Sequence, residues 1–187
     1  LAKKYHVNME VVSSLKQGSG TKVKEVVKVE KTNIGGVAKM DNFARFSLVG
    51  LEDRPGVAFK VFSLLSRHSV NVDIILQSVG RDGSKDISFT CPLTSLEDAK
   101  KVLEENREAL GYDTIEVDYN VAKISLVGTG MMTHVGVASD MFEALYDAGI
   151  NIQMIATSEI RISVLVSKDD ANRAIRVVHD KFFGSED

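Results

Sequence analysis

The chain has 187 residues, 44% of them hydrophobic and 26% charged, with 14 Gly and only two Pro, an ordinary globular composition that excludes collagen-like, low-complexity and disordered classes. A net charge of −3 and a pI near 5.8 argue against a nucleic-acid scaffold held by phosphate contacts, and no apolar run approaches the ~20 residues of a membrane-spanning helix. The start, Leu1-Ala-Lys-Lys-Tyr5, has neither the apolar stretch of a signal peptide nor an initiator Met and reads as part of something longer, while the single cysteine, Cys91, excludes an internal disulfide and suits the cytoplasm.

In chain order, Ile34 to Met40 is a first candidate strand, and 44–50 is a second with Phe46 and Leu48 on one face. Asp53-Arg54-Pro55-Gly56 is a turn into a helix, with Pro near the start where its missing N–H costs nothing. Val57, Ala58, Val61, Phe62, Leu64 and Leu65 then form a broad apolar stripe at helical spacing. From 70 to 77 the period becomes two, which predicts Val70, Val72, Ile74 and Leu76 on one face and Asn71, Asp73, Ile75 and Gln77 on the other. Arg81-Asp82-Gly83 is a turn signal, and 86–91 is a strand burying Ile87, Phe89 and Cys91. Ser95 to Asp98 is a capping-box variant opening a second helix, with Leu96, Ala99, Val102 and Leu103 inward and Gly111 past its end. Ile115 and Val117 mark a last strand, so the order is β-α-β-β-α-β, the ferredoxin-like unit.

The chain then repeats itself. Ser47-Leu48-Val49-Gly50 matches Ser125-Leu126-Val127-Gly128, and, after a longer loop, Gly56-Val57-Ala58 matches Gly136-Val137-Ala138. Phe62 falls on Phe142, Leu65 on Leu145, Asn71 on Asn151 and Ile75 on Ile155. Beyond Ser78 the first copy carries extra residues, Val79 to Lys85, after which Asp86-Ile87 aligns with Glu159-Ile160. The second copy has its own capped helix, Ser167 to Asp170 followed by Ala171, Ala174, Ile175 and Val178, but the sequence ends without a fourth strand. An unfilled position would leave an open sheet edge. The spare strand at 34–40 is the nearest candidate to fill it. The expected fold is therefore α+β: two βαββαβ modules, the first (42–119) inserted into the second (34–41 with 120–184), after a tail and linker at 1–33.

Few residues invite catalysis. His6, His68, His134 and His179 are far apart and in no metal-ligand spacing. Cys91 alternates with Ile87 and Phe89 and reads as core rather than nucleophile. Glu104-Glu105 and Asp169-Asp170 read as solvated helix positions. Gly18-Ser-Gly20-Thr-Lys22 lacks the phosphate-loop pattern, and Gly128-Thr-Gly130 lacks the third glycine of a dinucleotide fingerprint. The loops Glu52–Gly56 and Gly130–Gly136 are different. Each joins a strand to a helix start, where free amides and the positive dipole end favour a carboxylate. The following strand offers Asn71, Asp73 and Gln77 in one copy and Asn151 and Gln153 in the other. Amides for a carboxylate and acceptors for an ammonium are what a free amino acid needs; in the alternative reading Asp53 only caps its helix and the amides are surface polarity.

These same residues resemble a known family. Val49-Gly50-Leu-Glu-Asp53-Arg-Pro55-Gly56, Asn71-Val-Asp73-Ile-Ile-Leu-Gln77, Asp86-Ile-Ser-Phe-Thr-Cys-Pro92 and Asn151-Ile-Gln-Met-Ile-Ala-Thr-Ser-Glu-Ile-Arg-Ile-Ser-Val164 resemble the tandem ACT domains of bacterial aspartate kinases, over about 34–184. Leu1 to Val23 resembles the end of the amino-acid-kinase domain, whose lysine- and glycine-rich nucleotide motif is absent. The resemblance implies the regulatory portion of that kinase, without catalysis of its own, with ATP and Mg belonging to a kinase domain or large subunit that would be its partner. It further implies feedback inhibition by lysine, threonine or both, bound where ACT modules meet, often across a homodimer. Carried over by position, Asp53, Gly56, Ala58 and Gln77 form one side of the effector site and Asn151 and Ile152 the other. Asp73, His134, Ser158 and Glu159 are further candidates, and Ser88 and Ser158 match positions where substitutions relieve inhibition. His134-Val135-Gly136 departs from the family's usual His-Pro-Gly, which leaves the second loop less constrained. A sensor module of another metabolic enzyme or regulator is the alternative.

Overall fold

The computed structural model describes residues 9–11, 21–23, 33–80, 83–129, 131 and 135–184. Leu1–Lys31 and Thr32–Asp187 are separate compact units. In the first, strand β1 (Met9–Val11) pairs antiparallel with β2 (Thr21–Val23); the rest of the N-terminal tail lies outside the described residues, as do the turn residues Arg81 and Asp82.

The second unit begins with β3 (Asn33–Met40) and then builds a complete module: β4 (Phe43–Leu51), α1 (Val57–Arg67), β5 (Ile75–Val79), β6 (Lys85–Pro92), α2 (Leu96–Glu105), the single turn α3 (Arg107–Leu110) and β7 (Thr114–Asp118). Its antiparallel sheet runs β5-β6-β4-β7. Phe46, Leu48, Ile87 and Phe89 face the helices and are buried with Val57, Val61, Leu65, Ala99 and Leu103. The second module follows as β8 (Val121–Thr129), α4 (Val137–Asp147), β9 (Met154–Ser158), β10 (Arg161–Ser167) and α5 (Ala171–Phe183). Its sheet order is β3-β8-β10-β9, so the strand from before the first module fills the edge beside β8, from Asn33 opposite Thr129 to Met40 opposite Lys123. Both modules are ferredoxin-like, and the first is inserted into the second.

Three details depart from the sequence reading. The 70–77 strand begins late, at Ile75, because the Thr90 hydroxyl, and not a backbone carbonyl, takes the Ile74 N–H at 3.1 Å. The apolar alternation is split in consequence. Val70 and Val72 join the first core, Ile74 joins a small separate core with Phe43, Val121, Met154 and Leu165, and Leu76 is exposed at the sheet edge. Second, the caps differ. Pro55 precedes the N-cap, which is Gly56, and Ser95 makes no side-chain cap bond because a 3₁₀ turn at Leu93–Ser95 leads into α2. Ser167 does cap, accepting from the Asp169 N–H at 3.3 Å.

Third, the repeat register shifts by two. Ile75 pairs with Phe89, fourteen positions on, and Ile155 pairs with Val164, nine positions on, so the first module's hairpin is longer by five residues, and Ser88, not Thr90, is at the sheet position of Ser163. The hydroxyl pairs make the match plain. Ser47 and Ser88 touch at 2.9 Å in one sheet, Ser125 and Ser163 at 2.8 Å in the other. A side-chain hydrogen bond repeated at the same point of both sheets locates the register where hydrophobic pattern alone slides.

Candidate functional site

The loop from Glu52 to Gly56 hangs between β4 and α1. A bulge at the end of β4, where pairing with β6 slips between Leu48 and Leu51, turns the chain outward, and Asp86 fixes it by accepting the Gly50 N–H at 3.0 Å. Gly56 sits at φ +93°, a left-handed conformation that side chains resist, and no atom lies within 4 Å of where its Cβ would be. The helix start is thus open, and the first amides of α1 have no side-chain cap. Gly136 repeats this before α4 at φ +107°, again with open space.

Asp53 is not the helix cap. Its carboxylate lies 3.3 Å from Lys85 Nζ on β6 and is exposed, while Arg54 pairs with Glu52 at 2.8 Å. Ala58 is half-buried in the first turn of α1. Gln77 lies exposed on β5 opposite Ile87, its amide bonded to no described residue. Asn151 and Ile152 belong to the second module, in the segment between α4 and β9. Among the described residues no hydrogen bond or ion pair links them to the Asp53–Ala58 group. His134 lies outside the described residues.

The remaining candidates meet elsewhere. A cleft of about 230 Å³ between the two modules is lined by Asp73 and Ile75 of the first and by Lys123, Thr157, Ser158 and Arg161 of the second. The Asp73 N–H donates to the Thr90 carbonyl at 3.0 Å, and its carboxylate accepts from Lys123 Nζ, a side chain only 6% exposed. Ser158 closes the β9–β10 turn with a 3.5 Å contact from its hydroxyl to the Arg161 carbonyl; Glu159 is exposed in that turn. Lys123 and Arg161 escaped the sequence reading. Their signal was the strand pattern of β8 and β10, in which a cation recurs on the face opposite the core.

Among the described residues no cluster of His, Cys, Asp or Glu could hold a metal ion, and no helix is long and apolar enough to cross a membrane. Cys91 is buried, and burial pushes its thiol up to about 11. Scarce thiolate and no access both slow attack. A thiol reagent at neutral pH should label Cys91 slowly in the native protein and fully after denaturation; rapid native labelling would show the strand assignment to be wrong.

Models of the ACT domain family match residues 48–110 and 124–182. The aspartokinase of Helicobacter pylori (strain ATCC 700392 / 26695) is 41% identical over 184 residues, which cover 96% of this chain and 45% of that protein; the chain spans under half the length of the curated relatives it matches. The solved regulatory subunit of aspartate kinase from Thermus thermophilus, in its ligand-free form, is 36% identical with a TM-score of 0.76, covering 80% of this chain and 99% of that one. Aspartokinase III of E. coli, solved in complex with lysine and aspartate in its T-state, is 25% identical with a TM-score of 0.65, covering 97% of this chain and 40% of that one.

Proposed function

Since the chain belongs to the tandem ACT-domain family that forms the regulatory region of aspartokinases, we propose that it is the allosteric part of an aspartate kinase, binding lysine, threonine or both and so inhibiting phosphorylation of L-aspartate by ATP. The observation that carries this reading is the open start of α1: amides at Gly56–Ala58 with no side-chain cap, the exposed Asp53 carboxylate, and the Gln77 side-chain amide, bonded to no described residue, in the same module. The amides suit the α-carboxylate, Asp53 the α-ammonium, and Gln77 the side chain. The complex of E. coli aspartokinase III with lysine supports the ligand class.

Asn151 and Ile152 would complete this site from a second copy. The edges of the two sheets support such a homodimer: among the described residues β5 and β9 each have one unpaired side, and Ile75, Val79 and Ile155 are exposed along them. Its further partner is a kinase catalytic domain or large subunit, which would carry ATP and Mg, in the cytoplasm. The chain alone should show no aspartate-dependent phosphotransfer.

Titration calorimetry with L-lysine and L-threonine tests the reading. At least one should bind, and Asp53→Ala should weaken that binding by roughly 1.5–3 kcal/mol, the scale of a charge-assisted hydrogen bond. Binding of neither amino acid would overturn the proposal, and unchanged affinity in Asp53→Ala would move the ligand away from the α1 loop.

A further inference from the structure

The first helices of the two modules carry opposite charge at equivalent positions. With Gly56 matched to Gly136, Lys60 falls on Asp140, Ser63 on Glu143 and Arg67 on Asp147. Helix α1 has no acidic residue, and α4 has no Lys or Arg. Lys60, Arg67, Asp140 and Asp147 are all exposed, and among the described residues no salt bridge reaches any of them. In the second module the row is answered at one point only, where Lys181 Nζ on α5 donates to Glu143 at 2.6 Å. In the first module nothing crosses. A groove of about 260 Å³ runs between α1 and the α2–α3 turn, lined by Phe59, Lys60, Leu64, Arg67, Asn106 and Leu110 among others, with two cations and no carboxylate in its walls.

Spacing makes the two rows complementary. In each, the outer charges stand two helical turns apart, about 10.5 Å at the rise of an α-helix. Laid antiparallel, Lys60 meets Asp147 of the partner subunit and Arg67 meets Asp140 of the partner subunit, and the two helix dipoles oppose favourably. Phe59 precedes Lys60 and Tyr146 precedes Asp147, so the same alignment brings these two rings to one end. They are 74% and 81% exposed. Bared aromatic rings beside unpaired charges are what a helix-to-helix contact covers.

We propose that the groove beside α1 receives α4 of a second copy of this chain, so that the helices of the first module in one copy stack on those of the second module in the other. A two-fold axis closes the arrangement, each copy giving one α1 and one α4. The groove lies between helices and uses neither β5 nor β9, so this contact is separate from the sheet-edge homodimer and does not depend on the effector reading. Where both contacts form, dimers are joined into larger closed assemblies.

The test is sedimentation velocity on the full chain over a concentration series, at low and at high salt. Wild-type association should weaken at high salt, because exposed pairs are screened. One variant carries Lys60→Glu with Arg67→Glu, the other Asp140→Lys with Asp147→Lys. Each should associate at least about tenfold more weakly than wild type, since four exposed ion pairs become repulsive. An equimolar mixture of the two variants should associate like wild type, because every α1–α4 contact is again one acidic helix against one basic helix. Rescue by mixing is a result that misfolding of either variant cannot imitate. Variants that fall only to dimers support the contact and leave the sheet-edge dimer standing, whereas variants that fall to monomers make the α1–α4 contact the dimer contact itself. The proposal is overturned if both variants keep the wild-type mass at every concentration, or if the mixture stays as dissociated as its components.

Discussion

Deleting residues 1–41 should melt the second module while the first stays folded. The strand β3 supplies one whole side of β8, in register from Asn33 opposite Thr129 to Met40 opposite Lys123. Ile34 and Val37 pack on the second core, and Lys39 Nζ donates to Asn172 on α5 at 3.0 Å. Each lost ladder bond is worth about 0.5–1.5 kcal/mol net, and the two apolar side chains add to that. The sum is several kcal/mol, the same scale as the whole stability of a small domain. Among the described residues, no strand of the first sheet, β5-β6-β4-β7, comes from the deleted segment. Thermal melting followed by amide NMR should show signals of β8, β9 and β10 collapsing first and those of β4 and β6 persisting. One unchanged cooperative transition would show that β3 adds nothing to the second sheet.

The same strand shows how much was legible beforehand. A repeat that stops one strand short, and a spare strand ahead of the first copy, were enough to infer an insertion, because open sheet edges are costly and connections are short. The cores were legible too, since Phe46, Leu48, Phe89 and Leu126 sit at periodic positions that have one buried solution. The 70–77 segment was not. Its alternation is regular in sequence, but Thr90 interrupts the ladder at Ile74 and the chain serves two cores in turn, which no single-strand pattern encodes. The register error beyond Ser78 has a similar cause: apolar residues at alternate positions match after any even shift, and only the paired serines break the tie. Asp53, Gly56, Ala58 and Gln77 were found because their loop chemistry is local. Lys123 and Arg161 were missed because their meaning depends on which strand of the other module faces them.

Phe89→Ala should cost the first module about 3–5 kcal/mol, the usual range for emptying an aromatic site in a core. Phe89 is fully buried, stacked on Phe46 with centroids 5.3 Å apart and met edge-on by Phe62 at 5.7 Å. It also lies at the centre of the sheet, opposite Phe46 on β4 and Ile75 on β5, so no single neighbour can collapse into the space. The damage should reach the inter-module cleft through the backbone. Thr90, the next residue, takes the Ile74 N–H on its hydroxyl, gives its own N–H to the Ile74 carbonyl, and accepts the Asp73 N–H on its carbonyl. Looser packing of β6 therefore loosens Asp73. Hydrogen exchange at the Asp73 and Ile74 amides should therefore speed up, since Thr90 holds both. Phe89→Leu, which keeps much of the volume, should recover most of the stability and most of the exchange protection. If Phe89→Ala lowers the melting temperature but leaves exchange at the Asp73 and Ile74 amides untouched, β6 does not position Asp73.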